Sequence, residues 1–530
     1  MHITAAFKGW GISFLKITKR TEGRTFNTAK KLESNELLKI STLGNLKKSG
    51  YKSESIKEEL RRNLIQKKRN GENIFEGVWG YEDTVIPDVE RAILSRHNIN
   101  FLGLRGQAKT RMARKMIELL DEYIPVVKDS PLNDDPANPI SRFALDQVAE
   151  HGDATPISWM HRSERYTEKL ATPDVTIADL IGDVDPIKAA SLKLPYSDER
   201  VIHFGLVPRS HRGLFVINEL PDLQARIQVA LFNILQEGDI QIRGFKLRML
   251  LDIQFVFTAN PEDYTNRGSI ITPLKDRIDS QIITHYPDSI ETGKKITHQE
   301  AAVKEEQSNV VQVFDLAKDL VEQIAVEARS SEYVDEKSGV SARLTISGYE
   351  NLISSAERRV LISGDDKTSV RITDFQGLIP SITGKVELVY EGEQEGPGIV
   401  ANNLVGKALR TQFLNYFPDP EKERKKEKGN AYEPIKEWFE KGNMVDLIFD
   451  ANDKDYHKEL QNIPGLESLI DRYQKTTHED FKYFLMEFAL FGLAEYSLLS
   501  KHQLQNGMQF KDLFNSMFSM PELGEEDQDI

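Results

Sequence analysis

The 530-residue sequence has no cysteine. Disulfides, thiolate metal sites and a cysteine nucleophile are therefore excluded, and the composition fits a reducing compartment. It also lacks any run of about 18 apolar residues, so no helical membrane span is expected. Positive charge is in deficit: 69 Lys and Arg stand against 83 Asp and Glu, a net charge of −14, which opposes general nucleic-acid affinity. The deficit is uneven. Residues 1–70 hold 17 Lys and Arg against 6 Glu, so the rest of the chain carries −25. The basic amino end reads as an arm for nucleic acid or an acidic partner, or as a solvated helical face with a loose terminus. Lys8, Gly9 and Gly11 break the apolar part of the first 20 residues, and no small-residue cleavage site follows. That stretch reads as a disordered leader or an overlong start.

What is present is an ordinary soluble mixture, 29% charged and 39% hydrophobic, long enough for two to four domains. From Ser34 to Asn70, Leu37, Leu38, Ile40, Leu43, Leu46, Leu60, Leu64 and Ile65 recur at helical spacing. Residues 76–288 alternate short β-branched runs with amphipathic helices. The runs include Ile99–Leu102, Gly213–Ile217 and Asp252–Thr258. This predicts an α/β parallel sheet covered on both faces. Residues 297–330 read as one long helix, 343–362 and 372–382 as two more, and 399–416 as another. The expected division is a basic helical extension at 1–74, an α/β domain at 75–290 and an α-helical lid at 291–385. A helical extension at 386–418, a charged, mobile linker at 419–431 and a helical region with an acidic tail at 432–530 complete it.

Gly103-Leu-Arg105-Gly106-Gln107-Ala108-Lys109-Thr110 follows a strand and opens a helix that begins with Arg111. It matches the phosphate-loop pattern G-x-x-x-x-G-K-[ST] except at Ala108. Gly103 and Gly106 permit the tight turn, and successive backbone N–H groups and the helix terminus favour phosphate oxygens. Lys109 is placed to reach the β- and γ-phosphates and Thr110 to ligate Mg²⁺. Ala108 is acceptable if its φ is negative. The plain counterpart is a strand–turn–helix with a surface lysine.

Further on, the run Gly213–Ile217 ends in Asn218-Glu219. Asp-Glu is the usual pair at this point in phosphate-loop ATPases, with Asp steadying Mg²⁺ and Glu polarising the lytic water. Asn218 brings no charge, so Mg²⁺ binding should weaken, whereas Glu219 keeps the base role. Asn260, at the end of the next strand, is placed to orient that water; its alternative is an Asn-Pro turn. Arg277 fits a finger on a neighbouring subunit's nucleotide, and Arg343 a lid contact to the γ-phosphate within the chain. Either arginine is otherwise a surface residue. His203 and His211 match no common ligand spacing and read as surface residues. FKYFLMEFALFG (481–492) reads as helix core.

In this order the motifs resemble an AAA+ ATPase, and in detail the magnesium chelatase I-subunit and its MoxR-type relatives, over about residues 75–385. The resemblance adds Val78 and Gly80 as adenine contacts. It assigns 176–190 to a family insertion and Arg243-Gly244 to the tip of a second inserted hairpin. It implies a cytoplasmic, hexameric ring with ATP and Mg²⁺ between subunits, and hydrolysis used to remodel or activate a partner. The block 371–397 resembles a chelatase-like bacterial branch, which implies a partner with a von Willebrand A domain. The departures at Ala108 and Asn218 put turnover in question more than binding. Other readings are a motor inserting a cation into a tetrapyrrole, an ATP-binding scaffold that hydrolyses little, and a DNA-acting motor.

Overall fold

The computed structural model describes residues 37–196, 198–242, 248–261, 269–426 and 429–513. The leader, the acidic tail and the expected hairpin tip at Arg243-Gly244 lie outside the described residues. Among the described residues no helix is long and apolar enough to cross a membrane.

The first long helix, α1 (Ile56–Asn70), is capped by the Ser55 hydroxyl and ends at Gly71, whose φ is 74°. Its apolar stripe of Ile56, Leu60 and Leu64 packs on a five-stranded sheet. The strands are β1 (Ile99–Leu102), β2 (Tyr166–Leu170), β3 (Gly213–Asn218), β4 (Ile253–Ala259) and β5 (Ser280–Ile283). All pair in parallel, in the order β5-β1-β4-β3-β2. β3 and β4 are buried along their whole length, as strands covered on both faces must be. Alternation divides their side chains. Leu214, Val216 and Val256 face α1 and its neighbours, while Phe215, Ile217, Phe255 and Phe257 face Ile227, Leu231 and Leu274. The α/β sandwich expected from the sequence is therefore present.

The expected single helix over 297–330 is instead three: α2 (Ile290–Glu300), Glu305–Val310 and α3 (Asp315–Arg329). The breaks are at 301–304 and at 311–314, the second within the valine-rich stretch Val310-Val311-Gln312-Val313. Val311–Gln312 turns extended there and pairs in parallel with Thr368–Ser369. α4 (Arg343–Ser363) follows as expected. Residues 372–382 form a 3₁₀ turn, Thr373–Leu378, and a short helix, Ile379–Thr383, with Pro380 in the first turn where no N–H is needed. α5 (Pro397–Tyr416) and α6 (Glu479–Glu495) are the remaining long helices. The segment expected to be a mobile linker is anchored in its described part. Pro420–Glu423 is a helical turn capped by Asp419, and the buried Glu423 accepts the Ala431 N–H at 3.1 Å.

The C-terminal region is helical, and it adds a three-stranded antiparallel sheet that the sequence reading did not anticipate. Its strands are β6 (Val445–Ile448), β7 (Ser500–Leu504) and β8 (Gly507–Lys511), in the order β6-β8-β7. α3, α4, α5, α6 and this small sheet share one apolar core. At its centre Phe413 contacts Phe417, Tyr432, Phe488 and Tyr496. The α6 backbone approaches so closely that a Cβ at Gly492 would lie 2.0 Å from the Phe413 ring. Thus the Phe-rich stretch is helix core.

A charged network ties α1 to the amino ends of the strands. Arg165 and Glu59, both buried, pair at 2.6 Å. His203 is exposed, but His211 is buried, which corrects its reading as a surface residue. Its Nδ1 accepts the Asp252 N–H at 3.0 Å, so the ring has a structural place. Burial, with Arg212 adding to it, lowers its pKa to about 4. Burial likewise raises Asp252 to about 6 against the Ile56 N–H it accepts.

The two act in opposite directions. A histidine depressed from its unfolded value contributes stability that is lost as the pH falls toward its folded pKa. A carboxyl raised above its unfolded value gives stability back over the same range. In the parent the effects largely offset between pH 7 and 5. Asp252→Asn keeps the acceptor for Ile56 but removes the offset. The variant is expected to lose roughly 1 kcal/mol more than the parent between those pH values. Urea unfolding of both chains at pH 7 and pH 5 measures this, and equal losses would refute it.

Candidate functional site

The carboxyl ends of β1, β3 and β4 open into a cavity of about 810 Å³. β1 runs into the loop Gly103–Ala108, which opens the helix Lys109–Lys115. The glycines are required by close packing. A Cβ at Gly103 would lie 2.0 Å from the Thr284 hydroxyl, and one at Gly106, where φ is 73°, 2.2 Å from the Ser341 hydroxyl. Ser341 belongs to the segment leading into α4, so the lid rests directly on the loop.

Ala108 does not meet the condition of a negative φ: its φ is 54° and its ψ 16°. An L-residue in this region costs roughly 1–2 kcal/mol. Glycine relieves that strain but adds freedom to the unfolded chain. Ala108→Gly is therefore expected to raise stability by a net ~0.5 kcal/mol. A thermal melt showing destabilisation would contradict this.

Lys109 is buried at the base of the cavity. Its ammonium donates to the Gly103 carbonyl, to the Leu104 carbonyl at 2.9 Å and to Asn260 Oδ1 at 2.5 Å. Asn260 Nδ2 in turn donates to Glu219 Oε2 at 2.7 Å. Cation, amide and carboxylate thus stand in one hydrogen-bonded row. Glu219 itself has a φ of 54°, and its N–H donates to the Thr258 hydroxyl at 3.2 Å. A left-handed non-glycine residue at a strand end is the kind of local strain that concentrates at functional sites.

No family model matches the chain. Over 294 residues it is 21% identical to the magnesium-chelatase subunit ChlI of Anabaena variabilis, a match covering 53% of this chain and 82% of that one. Over about half its length the chain is thus similar to a magnesium-chelatase subunit. Among solved structures, a cryo-EM-based model of the complex between the magnesium-chelatase subunits BchI and BchD matches at 18% identity and a TM-score of 0.31, over 60% of this chain and 98% of that one. NtrX from Brucella abortus in complex with ADP matches at 15% identity and a TM-score of 0.32, over 53% of this chain and 49% of NtrX.

Arg105, Gly106, Gln107, Ala108, Lys109, Thr110 and Arg111 all line the cavity, as do Val78, Glu219, Asn260 and Arg343. Arg343 is at the start of α4, on the lid side. Gln107 accepts the Thr284 hydroxyl at 2.8 Å. Arg105 pairs with Glu387, just past the lid, and Arg111 with Glu300 of α2. Gly103 and Gly80 stand behind the lining; Gly80 has a φ of 80° and abuts Thr292. Arg277 stands outside the cavity of its own chain. Its guanidinium lies 4.9 Å from the Phe232 ring centre and donates to Gln236 at 3.1 Å and to the Pro273 carbonyl at 2.7 Å.

Several contributors escaped the sequence reading. Trp79 lines the cavity and donates to Gln299 at 2.8 Å. Tyr81 bonds the Gln107 and His285 carbonyls at 2.8 and 2.9 Å, which braces the loop. Both lie in the VWGY segment already flagged for Val78 and Gly80, so an aromatic beside those positions was the available signal. Thr258 and Glu168 carry no motif.

The Mg²⁺ assignment can be tested on the donor set. The Thr110 hydroxyl donates to Asn218 Oδ1 at 3.4 Å. Among the described residues, no group of three or more His, Asp or Glu is arranged to hold a metal. Neutral oxygens of this kind suit a cation that arrives with phosphate oxygens and keeps its waters, not one bound by protein alone. With that condition, Thr110 and Asn218 fit.

Proposed function

We propose that this chain binds ATP with Mg²⁺ in the cavity and hydrolyses it in a cytoplasmic ring of six subunits. The row Lys109–Asn260–Glu219 supports this reading above all. It sets an ammonium for the phosphates, an amide for the lytic water and a carboxylate for its proton within hydrogen-bonding reach of one another. Mg²⁺ held with the nucleotide by Thr110 and Asn218 would supply charge neutralisation on the phosphates. The loop amides and Lys109 orient the phosphates, Glu219 takes the proton of the attacking water, and Arg343 meets the γ-phosphate from the lid. Arg277 reaches the nucleotide of the adjoining subunit.

Loss of the γ-phosphate releases Arg343, and the lid segment that rests on Gly106 moves. That movement remodels or activates a partner protein with a von Willebrand A domain. Calorimetry with ATP and Mg²⁺ on the purified chain, followed by steady-state phosphate release, tests the proposal. Absence of binding heat would overturn it.

Asn218 favours a second reading, a scaffold that binds ATP and assembles with little hydrolysis. Its amide brings no charge to the metal position. ATP-dependent assembly with phosphate release at background would select that reading.

A further inference from the structure

Asn218 stands where the resemblance calls for a carboxylate, and its surroundings show where the missing charge is. Asn218 Oδ1 accepts the Thr258 hydroxyl at 3.1 Å and the Thr110 hydroxyl at 3.4 Å. Its Nδ2 donates to Glu168 Oε1 at 2.6 Å. The amide cannot be turned over, because its oxygen would then face a carboxylate oxygen at that distance. Strand register explains the contact. Leu170 of β2 is opposite Asn218, and Glu168 is opposite Val216, so Glu168 and Asn218 are diagonal neighbours on one face of the sheet.

Glu168 does not spend its charge wholly on its other partners. Its Oε2 accepts from Arg114 at 2.9 Å and from the Tyr166 hydroxyl at 2.9 Å. The Arg114 side chain is 62% exposed, against 23% for Glu168. Water therefore screens the guanidinium in part, so it offsets only some of the Glu168 charge. Oε1, by contrast, meets the buried amide, where screening is weaker. A carboxylate hydrogen-bonded to an amide N–H₂ polarises the amide and makes its oxygen a better donor to a cation.

We propose that Glu168 is a positioning residue for the nucleotide-borne divalent cation, delivering through the Asn218 amide the negative charge that residue 218 lacks. The inference rests on the nucleotide reading above. It assigns the strand β2, which carries no recognised motif, a part in metal handling.

The discriminating quantity is the gain in ATP affinity on replacing EDTA by Mg²⁺, measured by calorimetry on the full chain. Glu168→Gln keeps shape and an acceptor oxygen but removes the charge. It is expected to cut that gain about tenfold while ATP affinity in EDTA changes little. The exchange Asn218→Asp with Glu168→Gln re-forms a carboxylate–amide pair with the charge facing Thr110, and is expected to restore the gain. A merely structural Glu168 would produce neither the selective loss nor the rescue. Arg114→Gln, which frees Glu168 from its cation, is expected to raise the gain and serves if Glu168→Gln folds poorly. An unchanged gain in Glu168→Gln, a failed rescue or no rise in Arg114→Gln overturns the inference. A parent that binds no ATP under either condition overturns the nucleotide reading itself, a separate result.

Discussion

Lys109→Met is expected to weaken ATP binding by about a hundredfold, the scale for removing one partner of a desolvated charge pair. The side chain enters the floor of the cavity with its ammonium among the Gly103 and Leu104 carbonyls and Asn260. In that setting a phosphate oxygen meets a cation screened far less than one on the surface. Methionine fills the same space, so the loop keeps its packing and the loss reports charge. The backbone amides of the loop remain, which is why a residual weak affinity should persist. Calorimetric titration with ATP and Mg²⁺ reads the result directly. Equal affinity in parent and variant would remove the loop from the function.

Glu219→Gln is expected to separate binding from turnover. Gln retains an oxygen to accept the 2.7 Å bond from Asn260, so the row stays assembled. It has no basicity, and general-base catalysis of this kind is worth about 10²–10⁴ in rate. Phosphate release should fall by about 10² or more while ATP affinity stays within a factor of about two. The variant should therefore hold ATP and trap whatever assembly ATP promotes. Undiminished phosphate release would assign the base to another residue.

The parts of this molecule that were legible in sequence are those with a short-range signature. The apolar runs of β1, β3 and β4 gave their strands, and the loop, Glu219, Asn260 and Arg343 converge on one cavity because they occupy equivalent strand and helix ends. What escaped was set by pairing at long range. β2, Tyr166–Leu170, reads YTEKL, with little apolar content, and is a strand because β3 is beside it. β6 to β8 pair residues 445–448 with 507–510, a contact no local window contains. The long helix expected over 297–330 fails for the same reason: Val311–Gln312 finds a partner at Thr368–Ser369. Ala108 shows a different limit, since pattern matching flags a missing glycine without revealing that the backbone there is left-handed.

The single apolar core that joins α4 to α6 and the small C-terminal sheet sets how motion can travel. Arg343 marks the near end of that body, at the nucleotide, and Phe413 locks its middle. A tilt begun at the phosphates cannot be absorbed by a joint within it. Under the proposed nucleotide cycle that body would turn as one piece and carry the small C-terminal sheet with it.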